Sequence, residues 1–308
     1  MRPTLKQLQY LVAISETGKF NEAARRMNVS QPSLSAQIAD MEIELDTHLV
    51  ERGRHGAVMT PSGEEVVRKA RLILRQVEEL KMTSRENAGV LTGHIRLGVI
   101  PTVGPYLLPN ATNDLHAMFP ELRMSVHEER SRDLNEHLRD GRFDVVISAP
   151  EEHPNSHSLP LFNEELWICV PPDSPFAHSS GPVSLSELKG HPLLSLGPGH
   201  HINSSIHDVA KLSGAYVSTE YEGTSLDAIR QMAAMGTGIA ILPSLYALTE
   251  AKRDAALVVR RIEHKNAHRT ISLIWRDTSP FKNHFEQLAD VLRRAADSLL
   301  DEDSPMKN

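Results

Sequence analysis

The chain has 308 residues, 40% of them hydrophobic and 24% charged, which suits two or three compact units with ordinary cores. It holds no unbroken apolar run of about 18 residues, the length a membrane-spanning helix needs. The single cysteine, Cys169, excludes an intramolecular disulfide and any cysteine-built metal cluster. The net charge is −7 and unevenly spread: residues 1–62 carry seven Lys/Arg and seven Asp/Glu, residues 63–90 a net +1, and residues 91–308 a net −8. The N-terminus lacks the apolar block of a secretion signal, so a cytoplasmic location is expected.

Residues 4–17 read as a first helix. Thr4 caps it, Gly18 ends it, and Leu5, Leu8, Leu11, Val12 and Ser15 mark its inner face. Two helices with a tight turn follow. Ala23, Ala24 and Met27 lie on the first, and Asn28 tolerates the left-handed turn. Ser30 caps the second, and Pro32 falls in its first turn. Leu34, Ile38, Met41 and Leu45 form its apolar stripe, while Gln31, Ser33, Ser35, Gln37 and Asp40 lie opposite. This layout suits a helix-turn-helix, whose second helix offers short polar groups to base edges and N–H groups to phosphate. It also suits an ordinary packed helical hairpin. Residues 52–56 (RGRHG) read as the tip of a two-stranded wing. Any DNA-facing charge must be local: Arg2, Lys6, Arg25, Arg26, Arg52 and Arg54.

Thr60 and Pro61 start a long helix reaching about residue 87. Val66, Ala70, Ile73, Val77, Leu80 and Ser84 form a coiled-coil-like seam on it. Residues 87–93 read as a hinge. From there strands and helices alternate. Strands are expected at 94–100, 122–127, 143–148, 164–170, 192–196, 216–221, 238–242, 258–262 and 270–275. Helices are expected at 106–119, 131–140, 184–188, 200–210, 225–235 and 281–299. The alternation argues parallel sheets with crossover helices, with the last strand and helix returning to the first lobe.

Ligands of α/β sheets bind at the carboxyl ends of strands, near helix N-termini. Thr102, Ser131, His200, Ser204 and Thr224 stand at such places and can hydrogen-bond an oxyanion, although each can also merely cap a helix. Adjacent His200 and His201 can contact an anion or respond to pH, but they lack a third metal-binding group, so no metal or other cofactor is expected. Cys169 follows an apolar strand and reads as a buried structural thiol. No nucleophile elbow, phosphate-binding glycine loop or paired-carboxylate arrangement marks an enzyme. A transport binding protein is opposed by the N-terminal helix-turn-helix.

The stretch FNEAARRMNVSQPSLSAQIADMEIELDTHLVERGR, followed by MTPSGE, resembles the winged helix-turn-helix of the LysR-type transcriptional regulators. IPTVGPYLLP, RDGRFDVVIS and EGTSLDAIRQMAAMGTGIAILPSLYA resemble the effector domain of the same family, closest to its peroxide-sensing OxyR-like branch. The resemblance implies a winged helix-turn-helix at residues 1–60 and a dimerising linker helix and hinge at 61–90. It also implies a two-lobed, periplasmic-binding-protein-like (type II) effector domain at 91–308, with lobe I about 91–162 and 268–300 and lobe II about 163–267. The implied effector contacts are Thr102, Ser131, His200 and Thr224. One departure stands out: where that branch has its reactive cysteine, this chain has His201. The partner cysteine position falls near Ala210 and the nearby acidic residue at Ser204, so the disulfide switch cannot operate here.

The expectation is therefore an α/β, homo-oligomeric regulator, a dimer of dimers, with no enzymatic activity and no membrane association. It binds dyad-symmetric double-stranded DNA through Gln31, Pro32, Ser33, Ser35, Gln37, Arg25, Arg52 and Arg54. A small organic acid or other oxyanion binds between the lobes at Thr102, Ser131, His200, His201, Ser204 and Thr224. The alternative is an oxidative-stress regulator without a disulfide, acting through Cys169 or methionine oxidation.

Overall fold

In the computed structural model, which describes residues 3–53, 56–83, 93–179, 181–279 and 282–301, a capping box sets the first helix. The Thr4 hydroxyl accepts from the Gln7 N–H at 3.3 Å, and Gln7 Oε1 accepts from the Thr4 N–H at 2.8 Å. Helix α1 (Leu5–Thr17) ends at Gly18 in the left-handed conformation. Helices α2 (Phe20–Arg26) and α3 (Gln31–Glu44) flank Asn28, whose φ is 54°. Ser30 caps α3 by accepting from the Ser33 N–H at 3.3 Å, with Pro32 in the first turn. Leu34, Ile38 and Met41 then enter a core shared with Leu8, Leu11, Ile14, Ala23 and Ala24.

Two faces differ from the sequence reading. The buried residues of α1 are Gln7, Leu8, Tyr10, Leu11, Ala13 and Ile14, while Leu5 is exposed. Helices pack α1 on several sides, so it buries a broad sector rather than one stripe. Leu45 is exposed because α3 stops at Glu44 and Leu45 is its C-cap.

Strands β1 (Val50–Gly53) and β2 (Gly56–Met59) form an antiparallel ribbon. Glu42 Oε1 accepts from the N–H groups of Leu49 at 2.7 Å and Val50 at 3.1 Å, tying this ribbon to α3. Helix α4 (Pro61–Thr83) starts where Thr60 Oγ1 accepts from the Gly63 N–H at 2.9 Å. Val66 and Ala70 face the core, whereas Ile73 and Leu80 are exposed. Arg2, Arg54, Ser84, the expected extension to residue 87 and most of the hinge lie outside the described residues.

The chain divides into two compact units, one of Met1–Gly89 with Arg139–Arg142, the other of Val90–Leu138 and Phe143–Asn308. The second contains β3 (Gly93–Val99), α5 (Gly104–Met118), β4 (Leu122–Glu128), α6 (Ser131–Arg139), β5 (Val145–Ser148) and β6 (His157–Val170). There follow β7 (Val183–Ser184), β8 (Pro192–Leu196), α7 (Ile202–Ser213), β9 (Tyr216–Gly223), α8 (Leu226–Ala234), β10 (Ile239–Pro243) and α9 (Ser244–Thr249). Strands β11 (Val258–Glu263) and β12 (His268–Trp275) and helix α10 (Lys282–Leu300) complete it.

Strand β3 pairs in parallel with β4 and β5, and β12 closes this first sheet antiparallel to β5. Strands β8, β9 and β10 form the parallel part of the second. Strand β6 belongs to both. Residues from His157 to Glu165 pair with β12, while Leu166–Cys169 pair with β10 and Trp167–Val170 with β11. The chain thus passes from one lobe to the other at Glu164–Leu166 and returns between β11 and β12.

The sequence reading started β6 at residue 164, seven positions late. Pro160 disguises the strand, but it sits at a register irregularity opposite Ile271/Ser272, where a missing ladder N–H is tolerated. The short helix α9 after Pro243 and the two-residue β7 were not anticipated either, being too short to show a period.

Candidate functional site

The first turn of α3 exposes Gln31, Pro32 and Ser33. Ser35 and Gln37 are half-buried. The Ser35 hydroxyl is turned inward without a hydrogen-bond partner, and the Gln37 carbonyl accepts from the Gln7 amide at 3.2 Å. Arg25 is exposed on α2, while Arg26 pairs with Glu16 at 2.7 Å. On β1, Arg52 lies with its guanidinium carbon 4.4 Å from the centroid of the Phe20 ring, a cation–π contact that holds it beside α2. Short polar side chains at a helix N-terminus and arginines thus share one unit.

In the other unit, the carboxyl ends of β3 and β8 and the starts of α6 and α7 converge. Ile100, Pro101, Thr102, Ser131, His200, His201, Ile202 and Arg269 line a tight pocket there, whose space between atoms is about 180 Å³ with the open solvent at its mouth included. Thr102 and Ser131 are buried, and the Ser131 hydroxyl has no protein partner. Arg269 donates from Nη2 to Thr102 Oγ1 at 2.9 Å and from Nε to Glu164 Oε2 at 2.7 Å. Glu164 is fully buried, and its Oε1 accepts from the Leu245 N–H at 3.3 Å. Burial raises the Glu164 carboxyl above its ordinary value, against the opposing pull of Arg269.

Both pocket histidines are held toward the neutral form. Burial comes first for each, followed by Arg130 and then Arg269 for His200, and by Arg269 for His201. His201 Nδ1 is buried without a partner, and its Nε2 is 3.9 Å from Glu151 Oε2. Gly199, at φ +89°, passes over the stem of Arg130; a Cβ there would come within 3.1 Å of Arg130 Cδ. Next to the pocket, His153 is buried with both ring nitrogens unpartnered.

These neutral rings, the hydroxyl of Ser131 and the buried guanidinium form a hydrogen-bonding surface. Among the described residues, no group of three or more His, Cys, Asp or Glu is placed to hold a metal. No described helix is long and apolar enough to cross a membrane.

Residues 5–64 match the family described as bacterial regulatory helix-turn-helix protein, lysR family, and residues 88–297 match the LysR substrate binding domain. The chain belongs to the LysR family of DNA-binding transcriptional regulators. This LysR chain is 37% identical over 298 residues to the DNA-binding transcriptional dual regulator OxyR of Escherichia coli K12, covering 96% of this chain and 97% of that protein. It is 33% identical over 300 residues to the HTH-type transcriptional regulator EstR of Acinetobacter baylyi, covering 96% and 98%. A solved full-length OxyR of Pseudomonas aeruginosa, carrying a cysteine-to-aspartate replacement, is 30% identical. It superposes with a TM-score of 0.79 over 94% of this chain and 97% of that one. This LysR chain, with Cys169 alone, has no second thiol for an intramolecular disulfide.

The pocket brings together Thr102, Ser131, His200 and His201 of the expected set. Ser204 and Thr224 are exposed and are not part of its lining, and the Ser204 hydroxyl donates to the His201 carbonyl at 2.7 Å. Arg269 and Glu164 were missed. Each is a charge at the edge of an apolar strand run, in HRTISLIW and EELWICV, a place that an exposed charge takes equally well. His153 had no sequence signal. Cys169 faces Ala240 of β10 and Val259 of β11 in the ladder, and burial pushes its thiol up to about 12.

Proposed function

We propose that a small oxyanion, an organic acid or an inorganic one, controls this LysR regulator by binding between the lobes of its effector domain. The observation that carries this reading is Arg269, buried at the pocket beside the unpartnered Ser131 hydroxyl and the neutral His200 and His201. Such a site offers hydrogen-bond donors and a buried positive charge to an anion. Ligand preference for one lobe arrangement then shifts the populations of two states. On the DNA side, Gln31 and Ser33 address base edges, and Arg25, Arg52 and Arg54 address phosphates. Exposed Ile73 and Leu80, seven residues apart on α4, support pairing with a second copy and a dimer of dimers on dyad-symmetric double-stranded DNA.

The test is thermal unfolding of the full chain against a panel of small acids. An acid at 100 times its Kd adds about 2.7 kcal/mol of stability if it binds only the folded state. Ser131→Ala and Thr102→Ala are expected to remove the shift. A panel in which no acid shifts the melting temperature ends this reading.

A role in oxidative stress, drawn from the OxyR likeness, is the second reading. The burial and high pKa of Cys169 weigh against a thiolate route. Exposed Met118 and Met235 leave methionine oxidation as its chemistry.

A further inference from the structure

Glu164 stands at the point where β6 leaves the β12 ladder for the β10 ladder. Arg269, its neighbour across the ladder, carries the pocket's buried positive charge. One carboxylate oxygen, Glu164 Oε2, takes both Nε at 2.7 Å and Nη2 at 2.6 Å. The other oxygen takes the Leu245 N–H in the first turn of α9. Nη2 also reaches Thr102 Oγ1 at 2.9 Å, on the pocket wall. A continuous path of hydrogen bonds therefore runs from the pocket wall, through the lobe crossing, to a helix of the second lobe.

This arrangement constrains an anionic effector. Arg269 already has a full negative partner. A second anion beside it puts two buried negative charges against one positive charge, and in a water-poor site one of the two must take a proton. The groups that face Glu164 are Arg269 from β12 and the Leu245 N–H from α9. Beyond Arg269 lie His200, pushed toward the neutral form by burial and then by Arg130 and Arg269, and His201, pushed the same way by burial and then by Arg269.

We propose that Glu164 is the resident counter-ion of the effector site, and that an anionic effector displaces it from Arg269 while Glu164 takes up one proton. The proton comes from solvent, and the neutral carboxylic acid remains beside Leu245. As an acid it donates as well as accepts, so its contact with the start of α9 changes with occupancy. The site thus selects anions that can outcompete a built-in carboxylate, and it reports their arrival at the crossing between lobes. This rests on the oxyanion reading above.

The probe is sodium acetate, a minimal carboxylate, with acetamide as its neutral isostere. Both are titrated against the full chain by thermal shift and calorimetry. Glu164→Gln keeps the shape but leaves Arg269 without a negative partner. It is expected to bind acetate at least about tenfold more tightly than the wild type, with acetamide unchanged. In the wild type, acetate binding strengthens as pH falls from about 8 to about 6, by up to about tenfold per pH unit for one proton taken up. In Glu164→Gln that dependence is absent. Should the glutamine variant fail to fold, Glu164→Asp withdraws the carboxylate from Arg269 while keeping a charge, and an intermediate gain in acetate affinity is expected.

Acetate binding that is equal in the wild type and the variant, or absent from the folded variant, overturns the proposal. Acetate binding by Glu164→Gln together with no response of the wild type to any acid supports the counter-ion role. The same result sinks the oxyanion reading of the natural effector.

Discussion

The Arg52 guanidinium stacks on the face of Phe20, 4.4 Å from its centroid. Phe20 opens α2, so the ribbon of β1 and β2 is aligned on the helix-turn-helix by one aromatic contact as well as by the Glu42 hydrogen bonds. Phe20→Leu keeps apolar volume but removes the ring. It is expected to weaken DNA binding with little loss of stability. Arg52→Ala is expected to weaken binding to every sequence alike, and to lower the slope of log affinity against log salt by about one unit if a single phosphate contact is lost. Fluorescence anisotropy on a promoter duplex at several salt concentrations reads both. An unchanged salt slope in Arg52→Ala removes Arg52 from the interface.

Gly63 lies against the Leu49 backbone. A Cβ at this position would be 2.0 Å from the Leu49 carbonyl oxygen, an approach that only glycine permits. The neighbouring cap, Thr60 Oγ1 accepting from the Gly63 N–H, fixes the same turn. Gly63→Ala must push α4 away from the start of β1, at a cost of about 3 kcal/mol. Urea unfolding of the two proteins measures the difference. A variant within about 0.5 kcal/mol of the wild type would show that the turn has slack.

Cys169 tests the oxidant reading. Its thiol is buried, and burial pushes its pKa up to about 12, so the reactive thiolate is scarce at neutral pH. Native protein is expected to resist iodoacetamide, and to label at a rate that follows unfolding as urea is added. Cys169→Ala, a small apolar change, is expected to leave any promoter response to peroxide intact. Rapid labelling of the native protein, or loss of a peroxide response in Cys169→Ala, would restore the thiol as a sensor.

The DNA-binding half was legible because its signals are local. Thr4, Gly18, Asn28, Ser30 and Pro32 each punctuate a helix within a few residues of where they act. The pocket of the second unit was legible only where it uses strand ends, as with Thr102 and Ser131. Its charge was not legible. Arg269 and Glu164 meet across 105 residues, and neither spacing nor composition distinguishes such a pair from two exposed charges. Ser204 looks like Ser131 in sequence, but its hydroxyl is used on the local His201 carbonyl. Pro160 hid half of β6 because its tolerance depends on a register slip in the partner strand.

His153 gives the stability of this protein a pH dependence of known sign. Burial, and then the charge of His201, push its pKa down from 6.5 to about 4. The unfolded chain therefore binds the proton first as pH falls. Stability from the neutral ring is complete above about pH 6.5 and is lost progressively toward about pH 4. His201 shifts in the same direction, through burial and Arg269, and adds to the loss. The full effect at His153 is about 3 kcal/mol over this window. His153→Leu removes the titrating ring, and also two nitrogens without partners, so stability near pH 7 is expected to hold or rise. Urea midpoints at about pH 7.5 and about pH 5 separate the cases: the wild type should lose clearly more than the variant between them. Equal losses would show that His153 is already hydrated or protonated in the native state, and would assign the acid sensitivity to other groups.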